Sequence, residues 1–294
     1  MNKIIPKNKT ILDPCCGARM FWFDKNDERA VFGDIRNETK QLCDGRTFKV
    51  QPDQIMDFRN LPYADNCFDL VVFDPPHLIK VGINSWMASK YGRLDKQTWR
   101  DDIRAGFSEA FRVLKPNGTL IFKWAEKDIT VSEILKLTPV RPAFGHKSGK
   151  RMRTHWISFL KDGREGTKQL CDGRTLNIRP DQITSFRNLP YSDNCFDLVV
   201  FDPPHLSNVG INSWLASKYG RLDEQTWPDD IRAGFSEAFR VLKPNGNLVF
   251  TWAEKDIAVS EILELTPVRP VIGHKSGKQM GTHWILFLKD GDAA

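Results

Sequence analysis

The sequence has no long hydrophobic run and no pair of cysteines at the spacing of a metal site. No apolar segment approaches the roughly 18 residues that a membrane-spanning helix needs, and the polar opening segment MNKIIPKNKT does not resemble a signal peptide. The 6 cysteines form no C-x-x-C pair, so we expect reduced, mostly buried thiols and neither zinc ligands nor a disulfide framework. A cytoplasmic protein without a membrane or metal partner is expected.

Positive charge is concentrated in one half of the chain, whose 294 residues carry a net charge of +6. Residues 1–162 contain 28 Lys and Arg against 20 Asp and Glu, a net charge of +8, whereas residues 163–294 contain 15 against 17, a net charge of −2. Neutralising the phosphates of a nucleic acid requires clustered Lys and Arg side chains. The first half therefore favours a polyanionic partner.

Most of the chain is present twice. Residues 39–162, the first copy, align without a gap to residues 167–290, the second copy, and 102 of the 124 aligned positions are identical. Solenoid repeats are shorter and stack serially, so this similarity indicates a recent duplication. Residues 1–38 have no second copy. We predict a first domain at 1–162 and a truncated duplicate at 167–294.

The first half alternates strand-like and helix-like segments. FDLVVFD (68–74) is continuous, aliphatic and followed by two prolines, which is typical of a buried strand. Apolar residues recur at helical spacing in DDIRAGFSEAFRVL (101–114), which KPNG (115–118) is expected to end. Further strands are predicted at 10–14, 29–34, 56–58, 119–124 and 154–161, and further helices at 132–137 and around the aromatic residues 21–23. This alternation predicts an α/β fold with a doubly wound, mostly parallel sheet.

Two loops follow strands that we expect to be neighbours in this sheet. DPCCGARM (13–20) follows the first strand, and DPPH (74–77) follows FDLVVFD. Ligands of doubly wound sheets bind outside the carboxyl ends of the strands, where the strand order reverses. Gly17 permits a tight turn, and Asp34 follows the first loop by about 20 residues, the spacing at which an acidic residue accepts hydrogen bonds from ribose. Asp57 could accept a hydrogen bond from an adenine amino group.

In this order, LDPCCG, GDIR, DFRNLPYADNCFDLVV and DPPH resemble the motifs of class I S-adenosylmethionine (SAM)-dependent methyltransferases, over residues 8–162. The resemblance is closest to the amino-methyltransferase branch and, within it, to small phage- and prophage-type enzymes. It implies a Rossmann-like fold, SAM as cofactor, and methyl transfer to an exocyclic amino group of a nucleic-acid base. Adenine N6 in DNA is the first choice, ahead of RNA. Arg19 stands where the family has a second glycine, and His77 stands where it has an aromatic residue.

The resemblance also implies which residues bind the cofactor and the methyl acceptor. The cofactor-binding residues would be Asp13, Pro14, Cys16, Gly17, Asp34, Asp57 and Phe58. The catalytic residues would be Asp74, Pro75, Pro76 and His77. The Asp74 carboxylate and the Pro75 carbonyl would each accept one amine hydrogen, so that the nitrogen lone pair points at the methyl group. His77 would stack on a base that is flipped out of a duplex or already single-stranded.

The second copy keeps DPPH at 202–205 but lacks the first strand, its glycine loop and the ribose aspartate. It also has Ser185 where the first copy has Asp57, and Thr251 where the first copy has Lys123. We therefore expect that it cannot bind SAM unaided and is structural or vestigial. Its strand at 196–202 would lack a neighbour, and the exposed sheet edge leaves self-association open.

Two other functions remain open: a methyltransferase for a small molecule or a protein side chain, and a SAM- or nucleic-acid-binding module without turnover, such as a phage counter-defence factor. Asp-Pro-Pro after a strand can also be a plain turn. The segment 80–99 is basic and aromatic and is a candidate platform for base stacking, while 145–156 is a basic hairpin suited to phosphate contact. His146 and His155 are expected to be structural.

Overall fold

The computed structural model describes residues 8–41, 45, 47–82, 85–148, 154–161, 184–210, 220–276 and 281–291. The chain divides into two compact units. The first unit is Met1–Lys161 together with Pro270–Leu286, and the second is Asp162–Arg269 together with Phe287–Ala294. The predicted domain boundary between 162 and 167 lies outside the described residues. In the described part of the chain, no helix has the length and apolar character needed to cross a bilayer.

The first unit is built on a seven-stranded sheet. Its residues 8–161 form the strands β1 Ile11–Asp13, β2 Ala30–Asp34, β3 Glu38–Gln41, β4 Thr47–Val50, β5 Gln54–Ile55, β6 Phe68–Phe73, β7 Leu114–Ala125, β8 Phe144–Ser148 and β9 Thr154–Leu160, and the helices α1 Trp86–Tyr91, α2 Trp99–Val113 and α3 Val131–Leu135. The strand order is β5-β2-β1-β6-β7-β9-β8, with β3 and β4 forming a separate hairpin. The first five strands of this order are parallel, and β9 and β8 are antiparallel additions. The predicted α/β class with a mostly parallel sheet is confirmed.

The hydrophobic core on one side of this sheet is made by α2. The β6 sequence FDLVVF is buried along its whole length, as a central parallel strand must be because both of its faces are covered. The apolar face of α2 places Phe107 against the sheet, with its ring centroid 4.8 Å from Phe122 and 5.6 Å from Phe73. This packing fixes the carboxyl ends of β6 and β7 relative to each other.

The predicted helix around residues 21–23 is wrong. The described residues between β1 and β2 form turns and bends without a helix. Arg19 has a positive φ of 52°, which a right-handed helix does not allow. The three aromatic residues also point in different directions: Trp22 packs edge-on against Phe32, Phe21 packs edge-on against Trp156, and Phe23 is half exposed. They do not share the single face that helical core residues would share.

Other element boundaries also need correction. The third strand, predicted at 56–58, is the two-residue strand β5. KPNG lies inside the long strand β7, in which Asn117 adopts a φ of 64°. The helix predicted at 132–137 is α3 at Val131–Leu135, and its N-cap is Thr130, which forms a reciprocal capping box with Glu133.

The second unit repeats part of this arrangement with the strands β10 Phe196–Phe201 and β11 Leu242–Ala253 and the helices α4 Trp227–Val241 and α5 Val259–Leu263. β10 pairs in parallel with β11 and is the edge strand of its sheet in the described part of the chain. Val200 is 49% exposed, whereas its equivalent Val72 in β6 is fully buried. Among the described residues, β10 therefore lacks the neighbour that β1 provides for β6, in agreement with the prediction.

The last hairpin belongs to the second copy by sequence, but most of it lies in the first unit. It consists of the antiparallel strands β12 Ile272–Ser276 and β13 Thr282–Leu288, and the first unit includes it up to Leu286.

Candidate functional site

A cavity of about 340 Å³ lies at the carboxyl ends of β1, β2 and β6. The strand order reverses between β1 and β6, which is where ligands of doubly wound sheets bind. Of the residues predicted to form the site, Pro14, Cys16, Gly17, Asp34, Asp57, Phe58, Asp74, Pro75, Pro76 and His77 line this cavity. The two loops that the sequence analysis singled out thus open into one space.

Asp13 is the predicted site residue that does not line the cavity. It is fully buried at the end of β1. Its Oδ2 accepts a hydrogen bond from Trp22 Nε1 at 2.8 Å, and its Oδ1 accepts one from the Cys15 backbone N–H at 3.2 Å. Burial raises the pKa of Asp13 to about 7, although these two hydrogen bonds act in the opposite direction. The carboxyl group ties the loop after β1 to the sheet below it.

Burial of Asp13 predicts a stability that falls with rising pH between about 4 and 7. In this window the folded chain keeps a proton on Asp13 that the unfolded chain has released, because the unfolded pKa is near 3.8 and the folded pKa is near 7. Rising pH therefore favours the unfolded state, by at most about 1.4 kcal/mol per pH unit. The measurement is the free energy of unfolding in urea at pH 5 and pH 8 for wild type and Asp13→Asn.

The stability difference between wild type and Asp13→Asn isolates this group from the other carboxylates. We expect the wild type to lose stability relative to the variant as the pH rises. Asp24→Asn, at an exposed position on the same loop, is the control for the substitution itself. A wild-type-minus-Asp13→Asn difference that is the same at both pH values would contradict the account.

Gly17 brings the backbone of the first loop to the edge of the cavity. It adopts a positive φ of 50°, which glycine reaches without steric cost. Its N–H donates to Asp34 Oδ2 at 3.0 Å. A Cβ at this position would have one neighbouring atom within 4 Å, Arg36 Nη2 at 4.0 Å. A side chain here would therefore project into the space that a ligand would use.

Arg36 donates hydrogen bonds to the carboxylate of Asp34, the residue that we predicted to bind ribose. Asp34 Oδ1 accepts hydrogen bonds from the Arg36 backbone N–H and Nε, and Oδ2 accepts them from Arg36 Nη2 and Gly17. A carboxylate offers about four acceptor positions, so a ribose hydroxyl can bind Asp34 only by displacing an N–H of Arg36. Arg36 Nη1 also donates to the Ser89 carbonyl in α1 at 3.0 Å. The sequence analysis missed this arginine, for which the Asp-x-Arg spacing was the available signal.

Asp57 lies on the cavity wall beside Phe58 and the buried Met56. Arg59 holds both oxygens of Asp57 and reaches Asp102 Oδ1 at 2.9 Å with its remaining nitrogen. The hydrogen bonds from Arg59 hold the pKa of Asp57 below its usual value. This wall therefore combines an ionised carboxylate with apolar surface.

Asp74 forms an ion pair that the sequence did not predict. Lys123 Nζ, from near the carboxyl end of β7, donates to Asp74 Oδ2 at 2.5 Å. The two side chains are 17% and 18% exposed, so the pair is largely shielded from water. In the second copy Thr251 Oγ1 donates to the equivalent Asp202. The first copy therefore has a cation where the second has a neutral hydroxyl.

His77 is 6% exposed and lies between two aromatic rings. Its ring centroid is 5.9 Å from Tyr91 and 6.1 Å from Trp124. Burial lowers the pKa of His77, which favours the neutral imidazole. Stacking of a base on His77 stays a prediction.

The predicted stacking platform contributes the short helix α1. Lys90, Tyr91 and Arg93 line the cavity, and Trp86 at the start of α1 is 37% exposed. Lys90 Nζ lies 5.1 Å from the centre of the Trp86 ring. This segment therefore presents basic and aromatic groups together at the cavity.

The predicted basic hairpin at 145–156 is described only in part, because residues 149–153 lie outside the described residues. His155 Nε2 is 3.3 Å from Glu126 Oε2. Among the described residues, no group of three or more His, Cys, Asp or Glu side chains could hold a metal ion.

No protein-family model matches the chain, and no curated protein matches it. Similar solved structures include a SAM-dependent methyltransferase from Methanosarcina mazei, with 12% identity, coverage of 54% of this chain and 94% of that chain, and a TM-score of 0.33. A T. thermophilus 16S rRNA N2 methyltransferase in complex with AdoMet and guanosine has 11% identity, coverage of 98% and 90%, and a TM-score of 0.32. A Pyrococcus horikoshii protein has 15% identity, coverage of 52% and 82%, and a TM-score of 0.33. Likeness at this level says nothing about activity, which has to follow from the site.

Proposed function

We propose that the chain is a SAM-dependent methyltransferase that acts on an exocyclic amino group of a nucleic-acid base, with adenine N6 in DNA as the first choice. The observation that carries this proposal is the meeting of the Gly17 loop and the Asp74–His77 loop in one cavity. The two loops end neighbouring parallel strands at the point where the strand order reverses. A plain Asp-Pro-Pro turn would not require a second loop with an open glycine backbone beside it.

The residues around the cavity fit SAM. The open side of Gly17 leaves room for the methionine part next to the loop after β1. Met56 and Phe58 provide an apolar wall for an adenine ring. Asp57 would accept a hydrogen bond from its amino group once Arg59 has released one of the carboxylate oxygens. Asp34 would take the ribose once Arg36 has moved. When bound, SAM supplies an electrophilic methyl group on a positively charged sulfur.

Asp74 and Pro75 would position the acceptor amine. An exocyclic amine is a weak nucleophile because its lone pair is delocalised into the ring of the base. Lys123 holds Oδ2 of Asp74, so we assign Oδ1 as the acceptor for one amine hydrogen and the Pro75 carbonyl as the acceptor for the other. These two bonds favour a tetrahedral nitrogen whose lone pair points at the methyl group. Catalysis of this kind is positioning and electrostatics, without a covalent intermediate.

A nucleic-acid substrate is supported by the surface next to Asp74. Lys90 and Arg93 line the cavity, and the partly exposed Trp86 ring lies beside them. Cationic and aromatic side chains together bind single-stranded or flipped-out nucleotides, the cations through phosphate and the rings through stacking. The net charge of +8 on residues 1–162 acts in the same direction.

The test combines cofactor binding with methyl transfer. Isothermal titration calorimetry should show SAM binding to wild type, and tritium from methyl-labelled SAM should enter pooled unmethylated DNA in preference to RNA. Gly17→Val fills the cavity edge and should abolish both signals. Gly210→Val, which adds the same side chain at a second-copy glycine with open space around it, should leave both unchanged.

Two results would overturn parts of this proposal. SAM binding without transfer to DNA, RNA, proteins or small amines would favour a binding module without turnover. SAM binding that survives Gly17→Val would place the cofactor outside this cavity.

A further inference from the structure

We infer that the β12–β13 hairpin of the second copy is a positioning element for the loop after β1, so that the second copy supports the site formed by residues 1–38 and the first copy. The inference rests on the proposed function only where SAM binding is the readout. All contacts that carry it lie within the first unit, which contains the hairpin up to Leu286.

The hairpin continues into the loop by main-chain pairing. The Gly273 N–H donates to the Phe21 carbonyl at 3.0 Å, and the Phe23 N–H donates to the Val271 carbonyl at 3.3 Å. Trp22, between them, is bridged in antiparallel fashion to Ile272. The loop therefore gains a short β-ladder with β12 on one side, in a stretch where the predicted helix is absent.

The ladder positions Trp22, the residue that donates a hydrogen bond to Asp13. The backbone of Trp22 is fixed from both sides, and its indole N–H donates to Asp13 Oδ2 at 2.8 Å. Asp13 Oδ1 in turn accepts the N–H of Cys15, two residues before Gly17. Through Trp22 and Asp13, β12 thus helps to fix the backbone around Cys15 at the edge of the cavity.

The loop has few other bonds that leave it through its main chain. Among the described residues, the main-chain to main-chain hydrogen bonds of 14–23 that leave this segment go to Gly33, through the Cys16 N–H at 2.8 Å, and to the hairpin. The Gly17 N–H adds one bond to the Asp34 side chain. Without the hairpin the loop would sample more conformations, and a ligand would have to restrict it on binding. The hairpin removes part of that entropic cost before the ligand arrives.

Side-chain packing fixes the hairpin against the same region. Trp284 of β13 lies 5.4 Å from Trp156 of β9, its equivalent in the first copy, and both are buried. Phe21 packs edge-on against the same Trp156 at 5.3 Å. The loop, β9 and the hairpin therefore share one aromatic cluster, of which Trp156 is the common member.

The two copies differ at the residues that this role uses. Val271, Ile272 and Leu286 stand where the first copy has Ala143, Phe144 and Ser158. All three second-copy residues are at most 1% exposed. At the proposed cofactor pocket the second copy has Ser185 where the first copy has Asp57. Its hairpin nevertheless carries branched aliphatic residues at buried positions. A vestigial duplicate would have no reason to differ from the first copy in this way.

The experiment removes one hydrogen bond of the ladder in the full chain and uses the duplication as its control. Gly273→Pro deletes the N–H that binds Phe21. Gly145→Pro places the same ring at the equivalent position of β8, the edge strand of its sheet, where proline is tolerated. Proline at 273 also places a Cβ against the Phe23 ring, at 2.5 Å, so the difference between the two variants reports the whole contact between the hairpin and the loop.

The readouts are amide hydrogen exchange at residues 15–23 and SAM binding by calorimetry. We expect Gly273→Pro to raise exchange in this segment and to weaken SAM binding about fivefold, the equivalent of one lost hydrogen bond. Gly145→Pro should match wild type in both. Equal exchange in the two variants would overturn the inference, and this result does not depend on SAM binding at all.

If proline prevents folding at either position, Gly273→Ala and Gly145→Ala replace the pair. A Cβ at 273 would lie 2.5 Å from the Phe23 ring, whereas a Cβ at 145 would meet the Trp156 carbonyl of its own hairpin at 3.2 Å. Faster exchange at 15–23 in Gly273→Ala alone would support the inference, and faster exchange in neither or in both would contradict it. A wild type that fails to bind SAM would refute the proposed function and leave the exchange comparison to decide on the hairpin.

Discussion

Asp74→Asn is expected to abolish methyl transfer, with kcat reduced about 10³-fold, while Asp202→Asn leaves transfer at the wild-type rate. The two aspartates stand at equivalent positions of the two DPPH loops, but Asp74 lines the cavity that contains Gly17. Asparagine keeps the size of the side chain and replaces a carboxylate oxygen by an N–H group. The amine hydrogen would then meet a weaker acceptor or a donor, and the nitrogen would lose its alignment with the methyl group.

The measurement is the initial rate of tritium transfer at saturating SAM for wild type and both variants. The SAM dissociation constant should be unchanged in both, because the expected loss concerns the acceptor and not the cofactor. Loss of transfer in Asp202→Asn with retention in Asp74→Asn would show that the second copy supplies the acceptor loop. The assignment of the site to the first copy would then be wrong.

Lys123→Thr has the second-largest expected effect, a 10- to 100-fold slower transfer, as for the loss of a hydrogen bond to a charged group worth about 1.5–3 kcal/mol. Threonine is the residue that the second copy has at this position, where it also donates to the aspartate of its DPPH loop. Lys123 is the cation that faces Asp74, and the charge of Asp74 is close enough to raise the pKa of Asp13. Without the ammonium group, the negative charge beside Asp13 and Asp74 is less well neutralised.

The measurement is the initial rate of tritium transfer at saturating SAM, with two matched controls. Lys123→Arg keeps a cation that can donate to Asp74 and should retain most of the wild-type rate. Thr251→Lys, which places the cation at the equivalent position of the second copy, should change nothing. Transfer at the wild-type rate in Lys123→Thr would contradict a contribution of the cation to the site.

The sequence predicted the parts of the fold that rest on local pattern. The continuous apolar run of β6 and the helical spacing around Phe107 leave little alternative in a chain of alternating strands and helices. Gly17 and the residues from Asp74 to His77, which line the cavity, were singled out because a glycine turn and a proline-fixed loop follow two separate strands. These are signals that a few neighbouring residues carry.

The parts that failed depend on contacts between distant residues. Lys123 lies 49 residues from Asp74, and nothing near either residue indicates that they pair. The absence of a helix after β1 follows from the left-handed Arg19 and from the buried bond between Trp22 and Asp13. The sequence pattern of three aromatic residues, from which a helix was predicted, contains no sign of that bond.

The role of the duplicate was the least predictable feature. Two nearly identical hairpins do not show from sequence which of them lies next to the loop after β1. The expectation that the second copy is structural or vestigial left both outcomes open. The hydrogen bonds that join Gly273 and Val271 to the loop favour a structural role for the second copy.

The central claim is that the site between Gly17 and Asp74 methylates an exocyclic amine of a nucleic-acid base, and one measurement tests it most directly. Unmethylated DNA and RNA pools are incubated with wild type and labelled SAM, digested to nucleosides, and separated by liquid chromatography with mass spectrometry. The account predicts that the label co-elutes with N6-methyladenine nucleoside, chiefly from DNA, and is absent with Asp74→Asn. Label on a ring nitrogen or an oxygen, or no labelled nucleoside from either pool, would contradict it.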